Sequence, residues 1–233
     1  MPQLQEMETV TVLGASFIAW TAAFLVVRIS LPKRSHDFCN RVVSLMHVAV
    51  SLVLASFSVQ DWSRIFWPLG APPSPMQAFT MTVSLAYFLY DFFCCLFDTS
   101  IDYSNVIHHT VSISSLAYSV FNRKCGTEIV MCLWLSELSN PFMHARELLK
   151  ELGLKDTTLA LLNDICFALV FGFARVVLGP YLVYLTVFAD NPLMVKIGAL
   201  GIQFISIFWF YKIARMAVYK LSKGKKKPVK KLQ

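Results

Sequence analysis

Asn105-Val106-Ile107-His108-His109-Thr110-Val111-Ser112-Ile113-Ser114-Ser115-Leu116 places two adjacent histidines at the mouth of a run that continues, apolar or hydroxylic, to Phe121. About 17 to 25 such residues suffice to cross a bilayer as a helix. An ionisable side chain at membrane depth costs roughly 2.5 to 3.5 kcal/mol on insertion scales, so a chain that keeps several there is using them. Adjacent helical residues diverge by about 100°, so one ring can face a cavity while the other meets a neighbouring helix. Unperturbed imidazole titrates at about pH 6.5, which suits a general base. The competing use is structural, with both rings serving as interhelical hydrogen-bonding groups.

Outward from that stretch, the chain has 233 residues, of which 56% are hydrophobic and 15% charged, a balance beyond that of ordinary soluble domains. The expectation is an all-α membrane protein of about seven transmembrane helices. Seven spans of about 20 residues consume roughly 140 positions and leave short loops. The net charge of +7 does not imply nucleic acid, because Lys220, Lys223, Lys225, Lys226, Lys227, Lys230 and Lys231 supply seven positives in one terminal tail. Cys94 and Cys95 are adjacent and no C-x-x-C occurs, so neither a metal site nor a disulfide framework is expected. The apolar run from Val10 to Val27 exceeds a signal-peptide core and reads as a retained first span.

In order, the spans are expected at about Val10 to Ile29, Val42 to Val59, Gln77 to Phe97, Asn105 to Phe121, Thr127 to Leu148, Thr158 to Leu178 and Leu193 to Tyr219. Asp98 falls at the far end of the third, and Gly179-Pro180 is expected to break or kink the sixth. Residues 1–36 form the first helix and a basic connector, 37–220 the main domain, and 221–233 a basic tail. With the N-terminus luminal, Arg28, Lys33, Arg34, Arg41, Arg146, Lys150, Lys155, Lys212, Arg215 and the tail lysines lie on the cytosolic side. Only Arg64, Arg123, Lys124 and Lys196 oppose them, which satisfies the positive-inside rule with a cytosolic C-terminus.

Four further groups of polar residues lie within these spans. Glu137, Asn140 and His144 recur at i, i+3 and i+7, so one helix would carry them on one face; Glu137 could orient a histidine, accept a proton, or hold helices together. Asp164, Phe167, Phe171 and Arg175 form a stripe whose two charges lie about three turns apart, so each needs a partner on another helix. Asp91 could hold a histidine's tautomer or make a simple interhelical bond. His47 reads as structural and His36 as exposed.

The histidine pair, followed by Ser136-Glu137-Leu-Ser139-Asn140-Pro141-Phe-Met-His144-Ala-Arg146 and then Asp164-Ile-Cys-Phe167-Ala-Leu-Val-Phe171, resembles the TLC domain family, which contains the ceramide synthases. The resemblance covers roughly Asp37 to Lys220. With Tyr87 and Asp91, it is most similar to the small TLC domain-containing proteins of type 5. It implies a barrel of six helices around a lipid cavity, with the first helix outside, and a role in membrane-lipid homeostasis. In ceramide synthases two aspartates about thirty residues after the histidines accompany acyl transfer from acyl-CoA to a sphingoid amine. Here the matching positions are Glu137 and Asn140, so one acid is replaced by an amide and ceramide synthesis itself is not implied.

If the chain is an enzyme, the resemblance implies an acyl-CoA-dependent acyltransferase, with His108 or His109 as base or transient acyl acceptor and Glu137 as partner. Asp91, Asn140, His144, Asp164 and Arg175 would line or support the cavity, and basic residues near its mouth would favour an anionic CoA. No firm cofactor is implied, with acyl-CoA the one co-substrate considered. The rival is a non-catalytic lipid-binding or cargo-escort protein. A di-metal hydroxylase or desaturase needs spaced histidine boxes, and the five histidines include no H-x-x-x-H or H-x-x-H. The final Lys230-Lys231-Leu232-Gln233 resembles a dilysine retrieval signal, which implies the endoplasmic reticulum and coat machinery as a partner.

Overall fold

The computed structural model describes residues 2–59, 61–96 and 102–224, with side chains from 6 to 218 within those ranges. Asp98, most of the polar link after it, and the dilysine at 230–231 lie outside the described residues. The described chain is all helical: α1 (Pro2–Ser30), α2 (His36–Ser58), a short 3-10 turn (Trp62–Arg64), α3 (Pro75–Leu96), α4 (Tyr103–Asn122), α5 (Gly126–Glu137), α6 (Asn140–Glu151), α7 (Thr158–Phe171), a π-helical segment (Gly172–Leu178), α8 (Gly179–Phe188) and α9 (Leu193–Gly224).

Local chemistry sets several boundaries. Ser35 caps α2 by accepting from the Phe38 amide at 2.9 Å, so the helix begins six residues before the expected Val42 and brings Asn40 inside it. The same serine hydroxyl donates to Glu151 at 2.5 Å, tying the start of α2 to the end of α6. Asp102 caps α4 through the Ser104 amide at 2.9 Å, and Thr157 caps α7 through the Ala160 amide at 3.3 Å.

Two expectations require correction. The span expected from Thr127 to Leu148 is not one helix: α5 stops at Glu137 and α6 starts at Asn140. Pro141 accounts for the break, because its ring would collide with the carbonyl four residues back, that of Glu137, and it has no N–H to offer. At Gly179-Pro180, where a break or kink is expected, the helix does not break, since residues 158–188 form one continuous run. The chain widens instead into the π segment. In that register the Arg175 carbonyl calls on the N–H of residue 180, a proline, and the Gln203 side-chain amide of α9 donates to it at 3.2 Å.

Among the described residues, five helices are long and apolar enough to cross a membrane: those over 6–30, 36–58, 75–96, 158–188 and 193–218. Helix α4 and the broken α5–α6 pair do not meet that description, because α4 carries many hydroxyls and each half of the pair has only 12 residues. Large apolar side chains such as Ile18, Leu169, Phe173, Phe188 and Phe204 are more than half exposed. Exposure on that scale, distributed along the long helices, is what a lipid-facing surface requires. The protein is a multi-pass membrane protein.

Helix α1 packs chiefly on α2 and α3, where Trp20 donates to the Val83 carbonyl at 3.4 Å and meets His47 and Tyr87 edge-on. His47 stacks on Tyr87 with ring centroids 3.7 Å apart, a packing role. Among the others, α2 meets α3, α5 and α6; α3 meets α4; α4 meets α9; α9 meets α7, the π segment and α8; and α6 meets α7. Polar pairs cross these contacts: Ser58 with Thr80 at 2.8 Å, Trp134 to Ser56 at 3.1 Å and Trp209 to Ser104 at 3.1 Å. Each such pair contributes on the order of 0.6 to 2 kcal/mol in a membrane. Close approach of α9 to α4 depends on Gly198, where a Cβ would come within 2.1 Å of the Ser115 hydroxyl.

Candidate functional site

The space between α2, α3, α4, α6 and α9 is a cavity of about 340 Å³, and its lining brings together residues remote in sequence. His108, His109, Asp91, Glu137, Asn140, His144 and Arg175 all border it. Asp164 does not, and takes a supporting place by ion-pairing with Arg146, whose Nε lies 3.1 Å from Oδ1, while Arg146 itself reaches the cavity wall.

The two histidines diverge as adjacent helical positions must. His109 is buried and held at both nitrogens: Nδ1 is 2.8 Å from the Asn105 carbonyl and Nε2 is 2.8 Å from Asp91 Oδ2. A backbone carbonyl accepts only from a protonated Nδ1, so Asp91 faces either a bare Nε2 or, in the imidazolium, a second N–H; with an ionised Asp91, only the latter satisfies both contacts. Asp91 is fixed in turn by Asn40, whose amide donates to Oδ1 at 2.7 Å and whose own oxygen accepts from the Tyr90 hydroxyl at 2.7 Å. His108 stands nearly perpendicular to His109, at 87°, tilts against Trp209 with centroids 5.1 Å apart, and has no partner for Nδ1 among the described residues.

Glu137 is buried and makes no hydrogen bond to either ring among the described residues; the histidine's acid partner is Asp91, and Glu137 accepts from the Asn140 amide at 3.0 Å. Asn140 serves as an adaptor, since its oxygen also accepts from Arg175 Nη2 at 3.2 Å, beside the Ser136 carbonyl at 2.8 Å. An amide can donate to one neighbour and accept from the other, whereas an aspartate would set a second anion against Glu137. Asn140→Asp should therefore lower the thermal midpoint of the purified protein, by an amount corresponding to about 1 to 3 kcal/mol; an unchanged midpoint would count against the adaptor role.

Near the mouth, Arg41 pairs with Asp37 at 2.7 Å, Arg146 with Glu147 at 2.8 Å, and exposed Lys212 lies over the Phe208 ring. Partial burial works against ionisation of Asp102, but hydrogen bonds from the Ser104 hydroxyl and amide outweigh it and hold the carboxyl below its usual range. His36 is exposed at the same mouth. Asp91, Cys95 and His109 offer an oxygen, a sulfur and a nitrogen within 4.8 Å of one another, a set the sequence spacing does not reveal. In this structure two of those atoms are engaged with each other, which is the arrangement of an oriented imidazole.

A second, apolar pocket of about 80 Å³ abuts this cavity, lined by Leu133, Leu135, Leu182, Val195 and Ile202 among others, and Phe88, His108 and Arg175 border both spaces. Sequence reasoning did not single out Asn40, Trp209 or this junction. Ser35 followed by Asp37 was the available signal for an earlier start to α2, and so for Asn40 within it.

The chain is 26% identical over 256 aligned positions to TLC domain-containing protein 4-B of Danio rerio, covering 95% of this chain and 93% of that protein. It is 25% identical over 207 positions to TLC domain-containing protein 4 A of Dictyostelium discoideum, covering 81% and 77%. Both relatives carry the type 4 name, whereas the sequence motifs pointed to type 5. The TLC domain model matches residues 37–215, from the first turn of α2 to the latter part of α9, and the chain belongs to the TLC domain family.

Proposed function

We propose that this protein binds lipid in its intramembrane cavity and serves membrane-lipid homeostasis, and that the chemistry its side chains are equipped for is acyl transfer from acyl-CoA. The observation that carries the reading is the shared wall: His108 and Arg175 border both a polar cavity and an apolar pocket, which suits an amphiphile with its polar end among the histidines. In the transfer step, His108 Nδ1 attacks the thioester carbonyl, the C–S bond breaks, and the thiolate takes the imidazolium proton to leave as free thiol. An acceptor hydroxyl or amine then attacks the acyl-imidazole, forms the new ester or amide, and returns its proton to the released ring. His109, positioned by Asp91, and Glu137 act as neighbouring proton-handling groups.

Full-length protein in nanodiscs, given oleoyl-CoA, should release CoA thiol and carry an acyl group on His108. His108→Ala should reduce that release by about 10²-fold or more while the protein stays monodisperse. Lipid that copurifies without any release of thiol would favour the non-catalytic escort reading, which draws support from His109 having both nitrogens engaged.

The supporting architecture, on this reading, is seven spans in the endoplasmic reticulum membrane, with α1 and its connector (1–36) outside a six-helix barrel (37–220) and a cytosolic tail (221–233) that engages coat machinery through Lys230 and Lys231. The circuit of contacts from α2 through α3, α4, α9 and α7 back to α6 supports the barrel, and the lysine asymmetry supports the orientation. Because the sequence has no N-x-S/T acceptor, single sequons near Glu6 and Pro228 report each end separately. The expected result is glycosylation at the first alone; glycosylation at the second would overturn the orientation. Changing Lys230 and Lys231 to serine should release the protein to later compartments.

A further inference from the structure

Arg175 sits in the π segment at the junction of the two spaces and is 4% exposed. Its Nη2 donates to the Ser136 carbonyl and to Asn140, both neutral acceptors. Nε and Nη1 are buried and have no hydrogen-bond partner, and no carboxylate lies within ion-pair distance of the guanidinium among the described residues. Among the described residues, Glu137 is linked to it by hydrogen bonds through Asn140. Phe171 and Trp209 hold the planar group in place, with ring centroids 5.1 and 5.8 Å from its central carbon.

A guanidinium cannot shed its charge at any ordinary pH, and an anionic oxygen brought by a ligand would fill the open donors and offset that charge together, where a neutral acceptor fills only the donors. The space on its inner side is apolar and the smaller of the two, about 80 Å³ against about 340 Å³, which gives room for the first few methylenes of a hydrocarbon chain. On its outer side lie the imidazoles and, at the mouth, Arg41 and Arg146, each paired with a carboxylate, and the exposed Lys212.

We propose that Arg175 is the headgroup-binding residue of the cavity and selects lipids that end in an anionic oxygen, with the start of the hydrocarbon chain in the apolar pocket. This rests on the lipid-binding reading but not on turnover, because an anion can be held at Arg175 whether or not His108 acts on anything. Carboxylate and phosphate share the required chemistry. A neutral alcohol of the same chain length does not.

The test is equilibrium binding of tritiated oleate, oleoyl lysophosphatidate and oleyl alcohol to the full chain in phosphatidylcholine nanodiscs at about pH 8.5. At least one anion should bind tenfold or more tightly than the alcohol, and the preferred anion tells carboxylate from phosphate. Arg175→Gln should bring that ratio to within twofold. Arg175→Lys, which keeps the charge with a shorter reach and fewer donors, should weaken anion binding severalfold while preserving some preference. This variant decides the matter if the glutamine protein does not accumulate. Equal binding of all three lipids, or an unchanged anion preference and affinity in these variants, would overturn the assignment while leaving a lipid cavity intact. Binding of none would remove the lipid-binding reading as well.

Discussion

Asp91→Ala is expected to be the most damaging single substitution in the polar cavity. The carboxylate receives Asn40 on one oxygen and meets His109 on the other, both at close to 2.8 Å, on a side chain that is largely enclosed. Its removal leaves two polar partners without their acceptor, and cutting one member from a buried pair costs about 3 to 5 kcal/mol. Asp91→Asn preserves the shape and one acceptor oxygen, so it should cost less than half as much. Thermal unfolding in detergent, followed by tryptophan fluorescence, measures the difference directly. An alanine variant with a wild-type midpoint would mean that the network does not organise the cavity. A second consequence separates positioning from bulk stability: in the asparagine variant His108 stays accessible while His109 loses its charged partner, so any acyl transfer should fall while lipid still copurifies.

The next largest effect is expected at Gly126, the first residue of α5. A Cβ there would come within 2.5 Å of Pro73 Cα and 2.7 Å of the Gln77 side-chain oxygen. Backbone cannot step aside as a side-chain tip can. The Gly126 amide also donates to the Ala71 carbonyl at 3.2 Å, so the same residue pins the 61–74 loop against the helix start. Glu128, two residues along, accepts the Gly70 amide and completes the clamp. Gly126→Val should destabilise by about 1 to 3 kcal/mol through overpacking alone, and should expose the loop to limited proteolysis. Gly14→Val provides the control, since a Cβ at Gly14 meets nothing within 4 Å. Equal proteolysis of both variants would contradict the clamp.

Much of this architecture is legible in residue order because lipid imposes long apolar runs, and the helices over 6–30, 36–58, 75–96 and 193–218 follow those runs closely. What the runs conceal is backbone geometry. Pro141 could be read either as a tolerated kink or as a break, and only the packing of α6 against α2 and α7 shows that it breaks the span. Gly179-Pro180 read as an interruption because the donor that rescues it, Gln203, lies on another helix. The divergence of His108 from His109 follows from helical geometry alone. The identity of the partner does not: Glu137 shares the later motif with Asn140, while Asp91 lies 18 residues before His109 with no spacing rule to link them. Contacts between helices distant in sequence carry no local signature, which is also why Asn40 and Trp209 entered the site only through the fold.

The central claim is that lipid occupies the space bordered by His108 and Arg175. A fatty acid bearing a diazirine midway along its chain, fed to cells, crosslinked and mapped by peptide mass spectrometry on the purified full chain, tests it most directly. The account predicts labels on residues that line the apolar pocket, such as Leu133, Leu182 and Ile202, and their disappearance when Leu182→Trp fills it. Labels confined to outward-facing residues such as Leu169, Phe173 and Phe204, unchanged by that substitution, would contradict it.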